Sequence, residues 1–154
     1  MEKFNCAGSE ISTTIEELIS EESQIPLYVS GSSMNPFLIS RRDIVWLRKC
    51  EYKSLKKGDI LLFRRRDGAL VLHRVRKICP DTSILVSGDA QKQLETVDRC
   101  QILAKVSDIE RKGKKRSADS LYWRFIRTFW GALSPLRPFI MRLWFHFRRI
   151  NNKR

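Results

Sequence analysis

Residues 59–77 read DILLFRRRDGALVLHRVRK, which is two short apolar runs joined by a polar turn. The runs at 59–64 and 70–77 are rich in Ile, Leu and Val, and the pair Asp67-Gly68 lies between them. An Asp-Gly pair between two such runs is a strong local signal for a β-hairpin, because the tight turn favours residues that tolerate positive φ. The stretch therefore predicts two neighbouring antiparallel strands.

Similar runs continue on both sides of this hairpin, and turn-prone residues separate each run from the next. They predict further strands at 25–30, 43–48, 83–87 and 102–109. Short strands at this spacing favour a compact, mainly antiparallel β domain over alternating βαβ units. We therefore expect a β domain over 25–110, and the chain of 154 residues is long enough to give it a core.

The N-terminal segment, residues 1–24, is polar and acidic. Thr13 and Glu16 have the spacing of a capping box, which predicts a short helix over 12–19. The helix would present one apolar face, made of Ile15, Leu18 and Ile19. The segment has no apolar run of the kind found in a secretory signal or a membrane anchor.

The formal net charge is +13, from 30 Lys and Arg against 17 Asp and Glu. From Arg111 onward the chain has thirteen Lys or Arg and a single acid, Asp119. A basic excess of this size indicates an anionic partner, either nucleic acid or an anionic membrane surface. Because most of the excess lies at the C-terminus, the partner is expected to bind there.

Residues 111–120 are polar and charged, and we interpret them as a linker. Beyond them, 121–154 is predicted to be a basic amphipathic helical tail, bent near Pro135 and Pro138. An apolar face flanked by arginines over 121–149 suits a helix lying on anionic lipid. Packing of that face on protein is the alternative. Specific nucleic-acid binding is not expected, because no recognised motif accompanies the charge.

The four cysteines lie far apart, without the spacing of a metal site, and we expect free thiols. They are Cys6, Cys50, Cys79 and Cys100. No metal and no cofactor is expected.

Three sequence islands carry chemistry: VSGSSMNP at 29–36, LHRV at 72–75 and SGDA at 87–90. Serine is a weak nucleophile until a base takes its proton, so a serine with a histidine and a carboxylate is more informative than any one of them. Ser33 would attack a carbonyl, His73 would accept its proton, and Asp89 would orient the imidazole. Taken singly, each motif has an ordinary structural explanation: the serine and Gly-Asp motifs as turns, and the histidine as a buried core residue.

Together with KGDILLF at 57–63, these islands resemble the type I signal peptidase family over about residues 27–106. Members of the archaeal and endoplasmic-reticulum type carry a histidine within His-Arg-Val, and this chain has His73 there. The resemblance implies a catalytic fold shared with the self-cleaving repressors of the DNA-damage response. It also implies a peptide or preprotein substrate, bound as an added strand, with small residues before the cut.

Some assignments stay open from the sequence. Asp98 is an alternative to Asp89 as the orienting carboxylate, and the oxyanion hydroxyl is either Ser30 or Ser32, because the serine loop is one residue longer than in many relatives. In addition, the three residues 41–43, Arg-Arg-Asp, stand where the family tends to show Gly-Asp.

The leading hypothesis is a serine endopeptidase that cleaves signal or leader peptides at a membrane surface, as a peripheral or monotopic protein whose site faces the cytoplasm. A catalytically silent docking adaptor with the same fold is the alternative. A self-cleaving regulator is a third hypothesis, but it would need a DNA-binding domain, and only about twenty-five residues precede the strand that leads to Ser33.

Overall fold

The structure is a computed structural model that describes residues 15, 17–19, 24–80, 83–125 and 142. Within these residues, eight strands pair in one antiparallel sheet, which confirms the mainly β fold. The strands are β1 (Ile25–Tyr28), β2 (Asp43–Arg48), β3 (Ile60–Arg64), β4 (Leu70–Ile78), β5 (Ser83–Ser87), β6 (Glu95–Asp98), β7 (Ile102–Arg111) and β8 (Lys114–Ser117). Two single 3-10 turns, Tyr52–Ser54 and Arg99–Gln101, interrupt the connections.

The sheet has the order β1-β2-β7-β3-β4-β5-β6, with β8 attached to β7. The long strand β7 pairs with β2 on one side, and on its other side with β3 and then β8. Strand β1 pairs only with β2 among the described strands, so it forms an edge of the sheet. This edge leads directly into the loop that carries the predicted nucleophile.

The predicted hairpin is strands β3 and β4, and its register places Leu61 opposite His73. Gly68 occupies the turn at φ 85°, where a residue with a Cβ would be strained. Packing fixes β4 from the other side, because Phe63, Val75 and Val86 belong to one buried apolar cluster. Burying side chains of this size stabilises a fold by about 1.5–3 kcal/mol each, so the position of His73 is strongly determined.

Two strands lie outside the sequence prediction. Strand β6 was not expected, and β8 lies in the segment that we interpreted as a linker over 111–120. Lys112 and Gly113 both have positive φ and join β7 to β8 in a two-residue turn, so residues 111–117 form a hairpin instead. The linker interpretation of these residues is wrong.

The chain divides into two units, Met1–Asp119 and Ser120–Arg154. In the first, Ile15 and residues 17–19 are helical, and the rest of the predicted helix at 12–19 lies outside the described residues. In the second, residues 121–125 are helical. The rest of the predicted tail, apart from Arg142, also lies outside them. Within the described parts, no helix has both the length and the apolar character needed to cross a membrane.

Candidate active site

Ser33 lies in a compact turn that follows the edge strand β1. Backbone hydrogen bonds close the turn, from Asn35 N to Ser32 O at 3.1 Å and from Leu38 N to Met34 O at 3.0 Å. Met34 and Leu38 are buried, while Ser33 is half-buried. The apolar side chains therefore anchor the turn in the core and leave the serine at the surface of a cleft.

A second turn, at residues 88–91, packs directly against the first. The N–H of Ala90 donates a 2.8 Å hydrogen bond to the carbonyl of Ser33. Gly88 is required here by close approach, because a Cβ at this position would lie 2.5 Å from Ser33 O. The Gly-Asp-Ala island of the sequence thus fixes the backbone of the predicted nucleophile.

His73 is on β4 and is almost fully buried, with an exposed fraction of 2%. Its ring lies 5.8 Å from the ring of Phe63, measured between centroids. The atom Nδ1 is buried and has no hydrogen-bond partner among the described residues. Burying a ring nitrogen without a hydrogen-bond partner lowers the stability of the fold. We therefore expect a polar group to lie near Nδ1.

Ser33 and His73 line the same cleft, which has a volume of about 340 Å³. The walls of the cleft are mainly apolar, and they come from both the edge strand and the hairpin. They include Leu27, Val29, Met34, Leu62 and Leu72. Tyr28, Ser30, Arg65 and Gln91 supply its polar groups.

The carboxylate beside His73 belongs to Glu95, a residue that the sequence analysis missed. Glu95 Oε2 lies 3.6 Å from His73 Nδ1, which is longer than a hydrogen bond but within the range of an ion pair. Arg65 holds the same carboxylate through two short bonds, Nε to Oε1 at 2.6 Å and Nη2 to Oε2 at 2.7 Å. Glu95 is therefore shared between a buried imidazole and a bidentate arginine.

The pKa of His73 lies below its ordinary value of 6.5. Burial is the largest cause, because it penalises the charged imidazolium. The charge of Glu95 partly opposes this by raising the pKa, and the charge of Arg65 lowers it again. At neutral pH the imidazole is neutral, which is the form that accepts a proton.

Asp89 was expected to orient His73; in the structure its hydrogen bonds go to two arginines, and it acts on His73 through its negative charge, which raises the pKa of the imidazole. Its carboxylate, 1% exposed, accepts from Arg74 Nη2 at 2.7 Å and from Arg76 Nη2 at 3.0 Å. Arg74 also donates to the carbonyl of Gly58, so the cluster ties β4 to the turn at 88–91. The geometry therefore gives Asp89 a positioning role, since it holds the turn that bonds to Ser33.

Asp98, the other carboxylate considered, lies at the far end of β6 from Glu95. It is about half exposed, with Arg66 at 3.6 Å, and it caps the following 3-10 turn. Of the two serines considered for the oxyanion, Ser30 lines the cleft and Ser32 does not. The structure thus brings together Ser33, His73 and Ser30, and leaves Asp98 and Ser32 outside.

Within the described part of the chain, no group of three or more His, Cys, Asp or Glu is arranged to hold a metal ion. Cys50, Cys79 and Cys100 are free thiols, and Cys6 lies outside the described residues. Burial raises the pKa of the Cys50 thiol.

Comparison with known protein families gives a match over about two thirds of this chain. A family model described as Peptidase S24-like matches residues 5–107. The matched range contains Ser33, His73 and Glu95, and it ends within β7. No curated protein matches the chain.

Proposed function

Because the chain belongs to the Peptidase S24-like family, we propose that it is a serine endopeptidase in which Ser33 is the nucleophile and His73 the general base. The observation that carries the proposal is the shared cleft, which Ser33 and His73 both line. Glu95, at 3.6 Å from Nδ1, completes a serine, histidine and carboxylate set.

In the proposed mechanism, Ser33 Oγ attacks the scissile carbonyl as His73 takes the hydroxyl proton. The imidazolium that forms is stabilised by the charge of Glu95, and it then protonates the leaving amine. Water then attacks the acyl-enzyme as His73 takes one of its protons, and the imidazolium returns that proton to Ser33 Oγ as the acyl–oxygen bond breaks and the carboxylic acid product leaves. The Ser33 N–H and the hydroxyl of Ser30 are the proposed donors to the oxyanion.

The proposed substrate is an extended segment of a signal or leader peptide. Strand β1 lines the cleft through Leu27 and Tyr28, and it is an edge strand among the described residues. An edge strand offers unpaired backbone groups, so a peptide can bind there as an additional strand. The apolar walls favour small or apolar side chains before the cut.

We place the reaction at an anionic membrane surface, with the tail over 121–149 as a contact. Support comes from the start of that tail, where residues 121–125 are helical. Leu121 and Phe125 are 79% and 72% exposed, and Tyr122 is 48% exposed. Exposed apolar and aromatic side chains next to a basic sequence are typical of an interfacial helix.

The test of the endopeptidase is mass spectrometry of a signal- and leader-peptide library, incubated with the protein and anionic vesicles. We expect Ser33→Ala to abolish cleavage. Ser32→Ala is the matched control, because Ser32 neighbours Ser33 in the turn without lining the cleft. Intact peptides with the unaltered protein, together with retained vesicle binding, would favour a catalytically silent adaptor.

A further inference from the structure

One end of the sheet carries a group of cations that the proposed chemistry does not use. The pairing of Tyr28 with Ile44 and of Asp43 with Arg111 defines this end. Two exposed turns project from it, one at 39–42 and one at 112–113. We call the side chains of Arg41 and Lys112 at these turns, together with that of Lys114 at the start of β8, the basic end.

Two of the three basic-end residues have an unusual backbone conformation. Arg41 has φ 61° and Lys112 has φ 53°, and these are the positive-φ residues other than glycine among those that the structure describes. Lys112 precedes Gly113 in a two-residue turn of the type that prefers Asn-Gly. A long cationic side chain at such a position is not explained by turn chemistry, and such strain points to function when the side chain is exposed.

A carboxylate near the basic end, that of Asp43, is already paired with two other arginines. Asp43 is fully buried and accepts hydrogen bonds from Arg42 Nε at 2.8 Å and from Arg111 Nη2 at 2.9 Å. Among the described residues, no carboxylate pairs with Arg41, Lys112 or Lys114. Their charge is therefore directed to solvent.

Tyr28 links the basic end to the cleft. Its side chain is 69% exposed, it pairs with Ile44 one residue from Asp43, and it also lines the cleft. The N–H of Arg41 donates a 3.0 Å hydrogen bond to the carbonyl of Val29, the residue that follows Tyr28, so the aromatic residue and the cation lie close together in the fold. Exposed aromatic and cationic side chains are found together at the level of lipid headgroups.

We propose that the basic end binds the headgroups of an anionic lipid surface, and so brings the mouth of the cleft to that surface. Arg41 and Lys112 lie in two separate turns and Lys114 begins the strand that follows the second, so three exposed cations belong to one end of the sheet. The exposed ring favours lipid over nucleic acid, because Tyr28 is the one exposed aromatic side chain that the described residues offer here. The neighbouring Trp46 is half-buried and is covered by the ammonium group of Lys115. The inference rests on the proposed membrane location and does not require that location to be supplied by the tail.

The test is flotation of the full chain with phosphatidylcholine vesicles that contain or lack phosphatidylserine. The variant is Arg41→Asn, Lys112→Asn and Lys114→Gln combined. Each cation near an anionic surface contributes about fivefold in affinity, so we expect a loss on the order of a hundredfold on phosphatidylserine vesicles. The affinity of the unaltered chain should also fall steeply with salt.

The matched control is Lys49→Gln, Lys53→Gln and Lys57→Gln, which removes the same charge. These residues are exposed and follow the opposite end of β2. We expect the control to retain affinity within a few-fold. An equal loss in both variants would mean that net charge alone drives binding, and it would overturn the proposal.

The melting temperature of the variant shows whether weaker vesicle binding comes from the lost cations or from unfolding. Asn tolerates positive φ better than Lys or Arg, so the basic-end variant should melt at the same temperature or higher. Unchanged vesicle affinity in this stable variant would overturn the inference. So would a loss of binding to a DNA duplex with vesicle binding intact.

Peptide cleavage by the same variants distinguishes failure of this inference from failure of the proposed endopeptidase function. Peptide cleavage without vesicles should be unaffected by the basic-end variant and abolished by Ser33→Ala. Cleavage that Ser33→Ala leaves intact would overturn the endopeptidase mechanism, whatever the vesicles show.

Discussion

Glu95 Oε2 lies 3.6 Å from His73 Nδ1 while the same oxygen accepts a 2.7 Å bond from Arg65. The carboxylate of Glu95 thus lies against both the guanidinium of Arg65 and the imidazole of His73. The arginine holds it in place, and the buried imidazole gains a negative charge beside it. Protonation of His73 during the reaction would strengthen the pair, because two opposite charges at this distance attract more strongly away from bulk water.

The first prediction concerns Glu95→Gln. Without the negative charge, the imidazolium is less stable in the transition state, and we expect kcat to fall by roughly 10²- to 10⁴-fold with little change in KM. Steady-state cleavage of one defined peptide measures both constants. Glu95→Asp should recover part of kcat, and a kcat unaffected by Glu95→Gln would remove this carboxylate from the mechanism.

The site could be predicted in part from the sequence, and Glu95 shows the limit. Ser33 and His73 stand in recognisable motifs, and the structure brings both into one cleft. Glu95 lies seven residues after Gly88, at the start of a strand with one apolar residue that is fully buried, Val97. The local sequence predicts neither the strand nor a role for its carboxylate. The pairing of β6 with β5 forms the strand and places Glu95 near His73.

The fold was predicted where apolar runs mark the strands. The bounds of β2 and β5 match the expected ranges, and β3, β4 and β7 differ from them by a few residues. Strand β8 consists of exposed polar and charged residues, so hydrophobic pattern could not reveal it. Its pairing follows from the tight turn at Lys112-Gly113 and from the register with β7.

The second prediction separates Asp89 from Glu95. Asp89→Asn leaves Arg74 and Arg76 without their buried carboxylate partner, and breaking such a pair typically costs about 3–5 kcal/mol. Urea denaturation should therefore show a large loss of stability for Asp89→Asn. Glu95→Gln should lose far less, because Glu95 is more exposed. Equal stability of the two variants would contradict the positioning role of Asp89.

The third prediction concerns Gly88→Ala. The added methyl group would lie 2.5 Å from the carbonyl oxygen of Ser33, a backbone atom that must move to relieve the clash. We expect a loss of cleavage of at least 10²-fold, the size that a displacement of about 1 Å produces. Gly68→Ala is the control, since its Cβ meets nothing within 4 Å and it strains only the hairpin turn. The control should lose about 1 kcal/mol of stability and keep its kcat.

The fourth prediction concerns pH. Because burial lowers the pKa of His73, the neutral base should persist below the ordinary value of 6.5. As pH rises through that lowered pKa, the neutral fraction grows, so kcat/KM should rise and reach its plateau by neutral pH. A profile of kcat/KM against pH gives the midpoint. A midpoint above 6.5 would mean that the base is not a buried imidazole in this environment.

The fifth prediction follows from the shared carboxylate. Arg65 lowers the pKa of His73 through its positive charge, so Arg65→Gln should raise that pKa. A raised pKa keeps the imidazole protonated to higher pH, and the rising limb of kcat/KM should therefore move towards higher pH. Arg66→Gln is the neighbouring control, because Arg66 is 90% exposed and pairs with Asp98 instead. If Arg65→Gln lowers the plateau of kcat/KM without moving the midpoint, Arg65 acts only by holding Glu95 in place. If the midpoint moves in both variants, the shift is a general effect of removing positive charge.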